Sequence, residues 1–419
     1  MSDRDGVRAR RHHARHRLLG LLAVGAVLAG ACSSSDDPAT DAAAGPSDTA
    51  GTSVGTATAE DGPAWPVPEW TTTDPAAAGL DPEALDAMAA EAEAAQSNCL
   101  VVTKDGELVA EWYWNDWNER TDQEIFSATK SISSTLVGIA QDQGLLSIDD
   151  PASDYITEWQ GTPSEDVTIR NLVSNDSGRF QDFPTDYVEM AVAAPDKTQF
   201  SIDLSQQHEP GTEWVYNNAA IQTLDRVIEV ASGMPTHEFA RINLFEPLGM
   251  ETTIATDEAG NTLTFMGAQA SCRDLARFGL LFARGGEWDG EQVVSAEWVE
   301  EATTPSQALN GAYGFLWWLN AEGPVASPTG APAEEGQLVE GAPSDIYAAL
   351  GLGNQIVAVF PSSGVVATRI GTQQGIGQSD PGPSFNLGDM VTGIQAAVGE
   401  PVASDGDGTG AADGAVGAG

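Results

Sequence analysis

The chain has 419 residues, with 62 Asp and Glu against 18 Lys and Arg, and a formal net charge of −44 at pH 7. Such a negative field excludes electrostatic binding of nucleic acid or of anionic lipid headgroups. Residues 32–65 and 399–419 are mostly small or polar, which predicts a disordered tether and a disordered tail around one folded domain at residues 66–398.

The N-terminus has the pattern of an export signal. Residues 1–17 are rich in arginine, and residues 18–31 form an uncharged apolar run that ends at Cys32. This run is shorter than the about 20 residues that a membrane-spanning helix needs, so we interpret residues 1–31 as a signal peptide. Ala29-Gly30-Ala31-Cys32 resembles a bacterial lipobox, which predicts lipidation of Cys32 and an extracytoplasmic, lipid-anchored protein. Without lipidation the protein would be secreted.

The predicted elements follow in the order helix, hairpin, helical segment, strands and helix. A helix begins at Asp81-Pro82 and extends through Ala95, and a hairpin pairs residues 99–104 with 107–114. Further helices are predicted near residues 127–144, 166–174, 218–232, 235–246, 272–285, 295–302 and 385–397. Further strands are predicted at 312–320, 346–351, 354–360 and 364–370. The run 321–345 is predicted to be a long loop, either a lid or a disordered segment.

The first candidate site is Ser127-Ala-Thr-Lys130. Residues three apart are neighbours on a helix surface, so the Lys130 amine can reach the Ser127 hydroxyl. A neutral amine can take the hydroxyl proton while the oxygen attacks a carbonyl carbon. The spacing predicts a nucleophile at Ser127 activated by Lys130. A serine at a helix start with a solvated lysine one turn later is the alternative interpretation.

The second candidate site is Tyr216-Asn217-Asn218, which stands directly before a helical run. A tyrosine beside an ammonium group can be held as a phenolate. Tyr216 would then be the general base for Ser127 and later the acid for the leaving group. Asn218 is predicted to hold a substrate carbonyl, and Asn217 to cap the next helix.

With both motifs at this spacing, the chain resembles the class C β-lactamase-related serine hydrolases, which include D,D-peptidases, esterases and 6-aminohexanoate-dimer hydrolase. Other stretches similar to that family are Ser232-Gly-Met-Pro-Thr236, Phe245-Glu-Pro-Leu-Gly-Met250, Gly286-Glu-Trp-Asp-Gly290 and Tyr313-Gly-Phe-Leu-Trp-Trp318. The resemblance implies a β-lactamase/transpeptidase-like α/β fold. In it, an antiparallel sheet is flanked by the N- and C-terminal helices, and a helical lobe is inserted at about residues 127–305.

One family motif is altered. Penicillin-recognising members carry Lys-Thr-Gly on the strand that faces the nucleophile, but no lysine follows Lys197. The best match is Tyr347-Ala-Ala-Leu-Gly351-Leu352, which resembles the Ala-x-Gly form of the aminohexanoate-oligomer and esterase branch. Family geometry implies an oxyanion hole made by the backbone N–H groups of Ser127 and Leu352. Strong β-lactamase activity is not expected, because a β-lactam carboxylate would lack its usual anchor.

Two functions are compatible with these residues. The first is an extracytoplasmic serine hydrolase that cleaves a small ester or amide through an acyl-enzyme on Ser127. The alternative is a catalytically idle penicillin-binding-type lipoprotein that binds peptide or peptidoglycan-like ligands. The presence of Ser127, Lys130 and Tyr216 together favours the hydrolase.

Only two histidines follow residue 31, so neither a metal nor a cofactor is expected. The acyl donor and the oligomeric state do not follow from the sequence.

If Cys32 is lipidated, Cys99 and Cys272 are the two remaining cysteines. Paired cysteines in an oxidising compartment tend to form disulfides, and this bridge would tie the sheet to the helical lobe. Two buried free thiols are the alternative, because a disulfide demands a short Cα separation that the sequence does not reveal.

Overall fold

The computed structural model describes residues 63–328, 332–372 and 384–399. The predicted signal peptide, Cys32, nearly all of the tether and the tail beyond residue 399 lie outside the described residues. Within the described ranges, none of the helices combines the length and apolar character needed to cross a membrane.

The strands are β1 Ser97–Lys104, β2 Glu107–Tyr113, β3 Gln123–Glu124, β4 Thr253–Ile254, β5 Ala268–Ala270, β6 Glu287–Trp288, β7 Glu291–Gln292, β8 Trp318–Leu319, β9 Gly323–Val325, β10 Glu334–Gly336, β11 Tyr347–Gly351, β12 Gln355–Phe360 and β13 Val365–Gly371. The α-helices are α1 Pro82–Ala94, α2 Thr129–Asp142, α3 Ile169–Ser174, α4 Lys197–Asp203, α5 Asn218–Gln222, α6 Leu224–Ser232, α7 Thr236–Ala240, α8 Glu246–Leu248, α9 Cys272–Ala283, α10 Ala296–Ala302 and α11 Leu387–Val398. Two π-helices span Pro184–Ala193 and Arg241–Phe245, and short 3₁₀ turns include Phe126–Ala128.

The main sheet has six strands in the order β2-β1-β13-β12-β11-β8. Every neighbouring pair is antiparallel. The early hairpin therefore lies beside β13, the last strand among the described residues, and the segment between β2 and β8 leaves the sheet and returns to it. The predicted α/β class and antiparallel sheet are confirmed.

Helices cover both faces of this sheet, as two adjacent residues of β13 show. Thr368 Oγ1 donates to the carbonyl of Cys272 in α9 at 3.0 Å, whereas the Arg369 guanidinium donates to the Ala95 carbonyl at the end of α1, also at 3.0 Å. Successive side chains of a strand point to opposite faces, so α9 and α1 lie on opposite sides. Helix α11 packs against α1, which agrees with the prediction that the first and last helices cover one face. Helix α9, grouped with the helical lobe in the sequence, covers the other.

The structure corrects two secondary-structure predictions in the C-terminal half of the chain. The strand predicted at residues 312–320 is limited to Trp318–Leu319, because Leu316 adopts a left-handed φ of 60° and the chain turns back so that Tyr313 bridges to Trp318. The run 321–345 was predicted to be a long loop, but its described part contains the antiparallel pair β9 and β10. The Asn320 amide holds this segment through the carbonyls of Val339, Ala342 and Pro343.

A disulfide joins Cys99 in β1 to Cys272, the first residue of α9, with the two Cα atoms 6.3 Å apart. The disulfide therefore links the main sheet to α9, the helix that covers the face opposite α1.

Candidate active site

Ser127 lies in a 3₁₀ turn, Phe126–Ala128, that leads directly into α2. Phe126 has a left-handed φ of 48°, a conformation that a bulky residue adopts only under constraint from its surroundings. The constraint comes from β5 and its flank: Ile125 N donates to the Ala268 carbonyl at 2.9 Å, and Ala268 N donates to Thr129 Oγ1 at 3.1 Å. The serine is thus fixed at the start of a helix whose residues are almost all buried.

The Lys130 amine contacts the Ser127 hydroxyl. Its Nζ lies 2.8 Å from Ser127 Oγ and donates to the Phe265 carbonyl at 2.8 Å, and the residue is 1% exposed. Burial lowers the pKa of Lys130 to about 7, while the negative charge of Asp186 acts in the opposite direction. A large fraction of the amine is therefore neutral near pH 7, as a base for the serine proton must be.

Tyr216 completes the contact group. The Lys130 Nζ atom lies 4.8 Å from the centre of the Tyr216 ring, and the Ser127 side chain is close enough to lower the pKa of the Tyr216 phenol. Burial raises the pKa of Tyr216 well above its usual value; the nearby Tyr313 adds to this, and the Ser127 contact opposes it. The expected phenolate is therefore not supported: burial favours the neutral phenol of Tyr216, and Lys130 is the group better suited to act as base.

Aromatic rings and one asparagine hold the loop that carries Tyr216. The ring centres of Trp214, Tyr313 and Trp318 lie 6.0–6.5 Å from that of Tyr216. Asn175 accepts from Val215 N at 2.9 Å through its carbonyl and donates to the Tyr313 hydroxyl at 3.1 Å. Sequence reasoning missed Asn175. Its only local signal is that of an asparagine ending a helix in the left-handed conformation, which says nothing about a site.

Asn218 begins α5, and its Nδ2 donates to Asp186 Oδ2 at 2.9 Å. Its Oδ1 is buried and has no hydrogen-bond partner among the described residues. The preceding Asn217 caps α5 by accepting from Ala220 N at 2.8 Å, as predicted. Asp186 was not recognised in the sequence, because no motif marks the segment around it.

Gly351 ends β11 beside the nucleophile turn, and Leu352 follows in the next turn. A side chain on Gly351 would overlap the Ile125 carbonyl oxygen and lie 3.2 Å from Ala128 N. Glycine is required here because the strand end and the turn that carries Ser127 approach so closely. The structure thus brings Ser127, Lys130 and Tyr216 into contact and sets Gly351 against the same turn.

A serine hydroxyl beside a buried amine is a combination that can carry out acyl transfer, and comparison with known proteins shows the family to which the chain belongs. A family model described as Beta-lactamase matches residues 85–383. The chain belongs to the Beta-lactamase family. Among curated relatives, 6-aminohexanoate-dimer hydrolase of Paenarthrobacter ureafaciens is 26% identical over 53% of this chain and 64% of its own length.

Solved structures of other proteins show the same fold as this member of the Beta-lactamase family. A family VIII carboxylesterase superposes with a TM-score of 0.57 and 15% identity over 78% of this chain and 98% of its own. A penicillin-binding protein homologue from Caulobacter crescentus gives a TM-score of 0.55 and 16% identity over 72% of this chain and 92% of its own. At such identities the likeness concerns the fold alone. The match over residues 85–383 shows the family, and the solved structures show the fold.

Proposed function

We propose that this protein is an extracytoplasmic serine hydrolase that cleaves a small ester or amide through an acyl-enzyme on Ser127. The observation that carries the proposal is the buried Lys130 amine, 2.8 Å from Ser127 Oγ and with its pKa lowered to about 7. An amine in this state accepts a proton near neutral pH, so the serine can become a nucleophile without a histidine.

In the proposed acylation step, Ser127 Oγ bonds to the carbonyl carbon while its proton moves to Lys130 Nζ. The charge that develops on the carbonyl oxygen is stabilised by the backbone N–H groups of Ser127 and Leu352; each such donor contributes roughly 3 kcal/mol. The neutral Tyr216 phenol donates its proton to the leaving alkoxide or amine, and the proton held by Lys130 then passes to the phenolate, so that both groups are neutral in the acyl-enzyme. Water next bonds to the acyl carbon while its proton moves to Lys130, and that proton returns to Ser127 Oγ as the ester bond breaks and the carboxylic acid leaves.

The choice of an ester or amide rests on the sequence of β11 and on the named relatives. The strand beside the nucleophile ends in Ala349-Leu350-Gly351 without the lysine that would bind a β-lactam carboxylate. One relative is named for hydrolysis of an aminohexanoate dimer and one structural neighbour is a carboxylesterase.

The proposed location rests on the export signal and on the disulfide. Disulfides such as Cys99–Cys272 persist in oxidising compartments and are rare in the cytosol. Lipidation at Cys32 would attach the protein to the membrane without any attraction between its acidic domain and the lipid headgroups.

The test is covalent labelling with a fluorophosphonate probe. Wild type should be labelled on Ser127, and Ser127→Ala should lose the label. Ser134→Ala is the matched control, because Ser134 is buried on the same helix and its hydroxyl has no partner among the described residues. A panel of p-nitrophenyl esters, D-alanyl amides and nitrocefin then identifies the acyl donor. A wild-type protein without label on Ser127 would contradict the proposal and favour an idle binding lipoprotein.

A further inference from the structure

A buried carboxylate outside the proposed reaction lies next to the site. Asp186 is on the inner face of the π-helix Pro184–Ala193 and is 1% exposed. Its Oδ1 accepts from Ala219 N at 2.7 Å, and its Oδ2 accepts from Asn218 N at 3.2 Å and from Asn218 Nδ2 at 2.9 Å. These bonds join the π-helix to the first turn of α5, two residues after Tyr216.

Among the described residues, Asp186 has no salt-bridge partner of the usual kind. In the described part of the chain, the ion pairs of lysine and arginine do not include it. The cation whose charge acts on it is Lys130, and the effect is mutual. The other titratable groups that its charge reaches are Tyr216, on the loop before α5, and Tyr187, on its own helix. Burial of a carboxylate without a salt bridge costs solvation free energy, and hydrogen bonds offset only part of that cost. A buried, unpaired carboxylate is therefore a candidate for a functional role.

We propose that Asp186 is a positioning residue of this active site: its hydrogen bonds fix Asn218 and the first turn of α5, two residues after Tyr216, and its charge favours the protonated amine that the reaction forms. This inference rests on the proposed acylation of Ser127. When Ser127 loses its proton, Lys130 becomes an ammonium ion in a buried site, and a carboxylate within range stabilises that ion. Burial alone would make the lysine too weak a base. Asp186 offsets part of this penalty without touching the substrate.

The electrostatic part of the proposal has a definite sign. The Asp186 charge raises the pKa of Lys130, whereas burial lowers it more, with a net value of about 7. Burial also raises the pKa of Asp186, to about 6, so the carboxylate is mostly ionised at the pH where Lys130 titrates. Removing the Asp186 charge should lower the pKa of Lys130 further. The amine would then stay neutral down to a lower pH, but it would be a weaker base.

The test compares Asp186→Asn with Asp225→Asn. Asp225 is a close match: it is also 1% exposed, burial raises its pKa to about 6, and it accepts from Thr198 Oγ1 at 3.0 Å and Thr262 N at 3.2 Å. Its charge is not among those that act on Lys130. The readout is the rate of Ser127 labelling by an uncharged fluorophosphonate between pH 5 and pH 9, with urea unfolding measured in parallel.

In wild type the labelling rate should rise with pH, with a midpoint near the Lys130 pKa of about 7. Asp186→Asn should move this midpoint down by about half a pH unit or more and lower the plateau rate about tenfold. Asp225→Asn should lose stability but keep the wild-type midpoint.

Asp186→Ser, which keeps an acceptor without charge, replaces Asp186→Asn if the latter does not fold. An unchanged midpoint, or an equal shift in Asp225→Asn, would overturn the inference. Absence of labelling in wild type would instead refute the proposed function.

Discussion

Lys130 and Tyr216 show how one cause, burial, assigns two roles. Removal from water disfavours the charged form of any group. For a lysine the neutral form is the base, so burial keeps Lys130 able to accept a proton near neutral pH, although it also weakens the base. For a tyrosine the neutral form is the acid, so burial prepares Tyr216 to give one. Their contact also brings the amine over the ring face rather than onto the hydroxyl. In the proposed reaction the two residues therefore complement each other as base and donor, and neither has to carry a charge before the substrate binds.

Replacement of Tyr216 by phenylalanine tests this assignment. Tyr216→Phe keeps the ring and its packing but removes the donor for the leaving group, so kcat should fall by roughly 100-fold or more. The free energy of unfolding should change by about 1 kcal/mol or less, since one hydroxyl is lost. Steady-state kinetics with a p-nitrophenyl ester and urea unfolding measure the two effects. Tyr347→Phe is the control: Tyr347 is also buried among aromatic rings, but it packs against Trp317 and Phe282. Equal kcat values for the two variants would remove Tyr216 from the mechanism.

At the residue scale, the sequence reveals those groups of the site that belong to local patterns. Ser127 and Lys130 are three residues apart, so one helical turn brings them together whatever the rest of the fold does. The partners that set their chemistry come from distant segments: the Phe265 carbonyl binds the amine, and Asp186 acts on its charge. A backbone carbonyl has no sequence signal at all. The expected Tyr216 phenolate is not supported for a related reason: the extent of burial, which raises the pKa of Tyr216, is a property of the folded chain.

Among the elements, β11 and the turn Phe126–Ala128 lie so close together that an added methyl group would change their spacing. Gly351→Ala would place a methyl group against the Ile125 carbonyl oxygen and push Leu352 away from Ser127. If Leu352 supplies an oxyanion donor, kcat should fall about 100-fold. The added strain should also reduce the free energy of unfolding by about 1–3 kcal/mol. Kinetics and unfolding on the same preparation measure both quantities.

Gly279→Ala controls for the strain. Gly279 is buried in α9, where an added methyl group would press on the side chain of Val366 in β13. Comparable destabilisation is expected there, with kcat close to wild type. A kcat loss of the same size in both variants would show that loosening of the sheet, rather than displacement of Leu352, reduces activity.

The π-helix Pro184–Ala193 shows why one element escaped prediction. Exposed apolar side chains stand at its N-cap, Phe183, and within it at Val188 and Val192, with spacings of five and four residues. Its buried residues, Asp186 and Met190, are four apart. Bonding from i to i+5 places about 4.4 residues in each turn, so each set lies on one face. A search for a period of 3.6 does not detect such a pattern. The helices with α-helical periodicity, such as α1, α9 and α11, were located within a few residues.

For the molecule as a whole, the net charge of −44 predicts a strong dependence of stability on salt. Folding concentrates the carboxylates, and their repulsion destabilises the folded state until counterions screen it. The midpoint of thermal unfolding at pH 7 should rise by several degrees between 20 mM and 500 mM NaCl, as measured by circular dichroism. At pH 4, near the usual pKa values of Asp and Glu, the same salt increase should have a much smaller effect. A salt response of equal size at both pH values would mean that charge repulsion is not its cause.

The Cys99–Cys272 disulfide makes a covalent ring from the part of the chain that includes Ser127, Lys130 and Tyr216. The chain enters this ring at the start of β1 and leaves it at the start of α9, so a protease that cuts one loop between the two cysteines opens the ring without releasing a fragment. The two pieces would separate on a denaturing gel only after reduction. In surroundings rich in proteases, a nicked molecule would keep its nucleophile attached to the sheet that supports it.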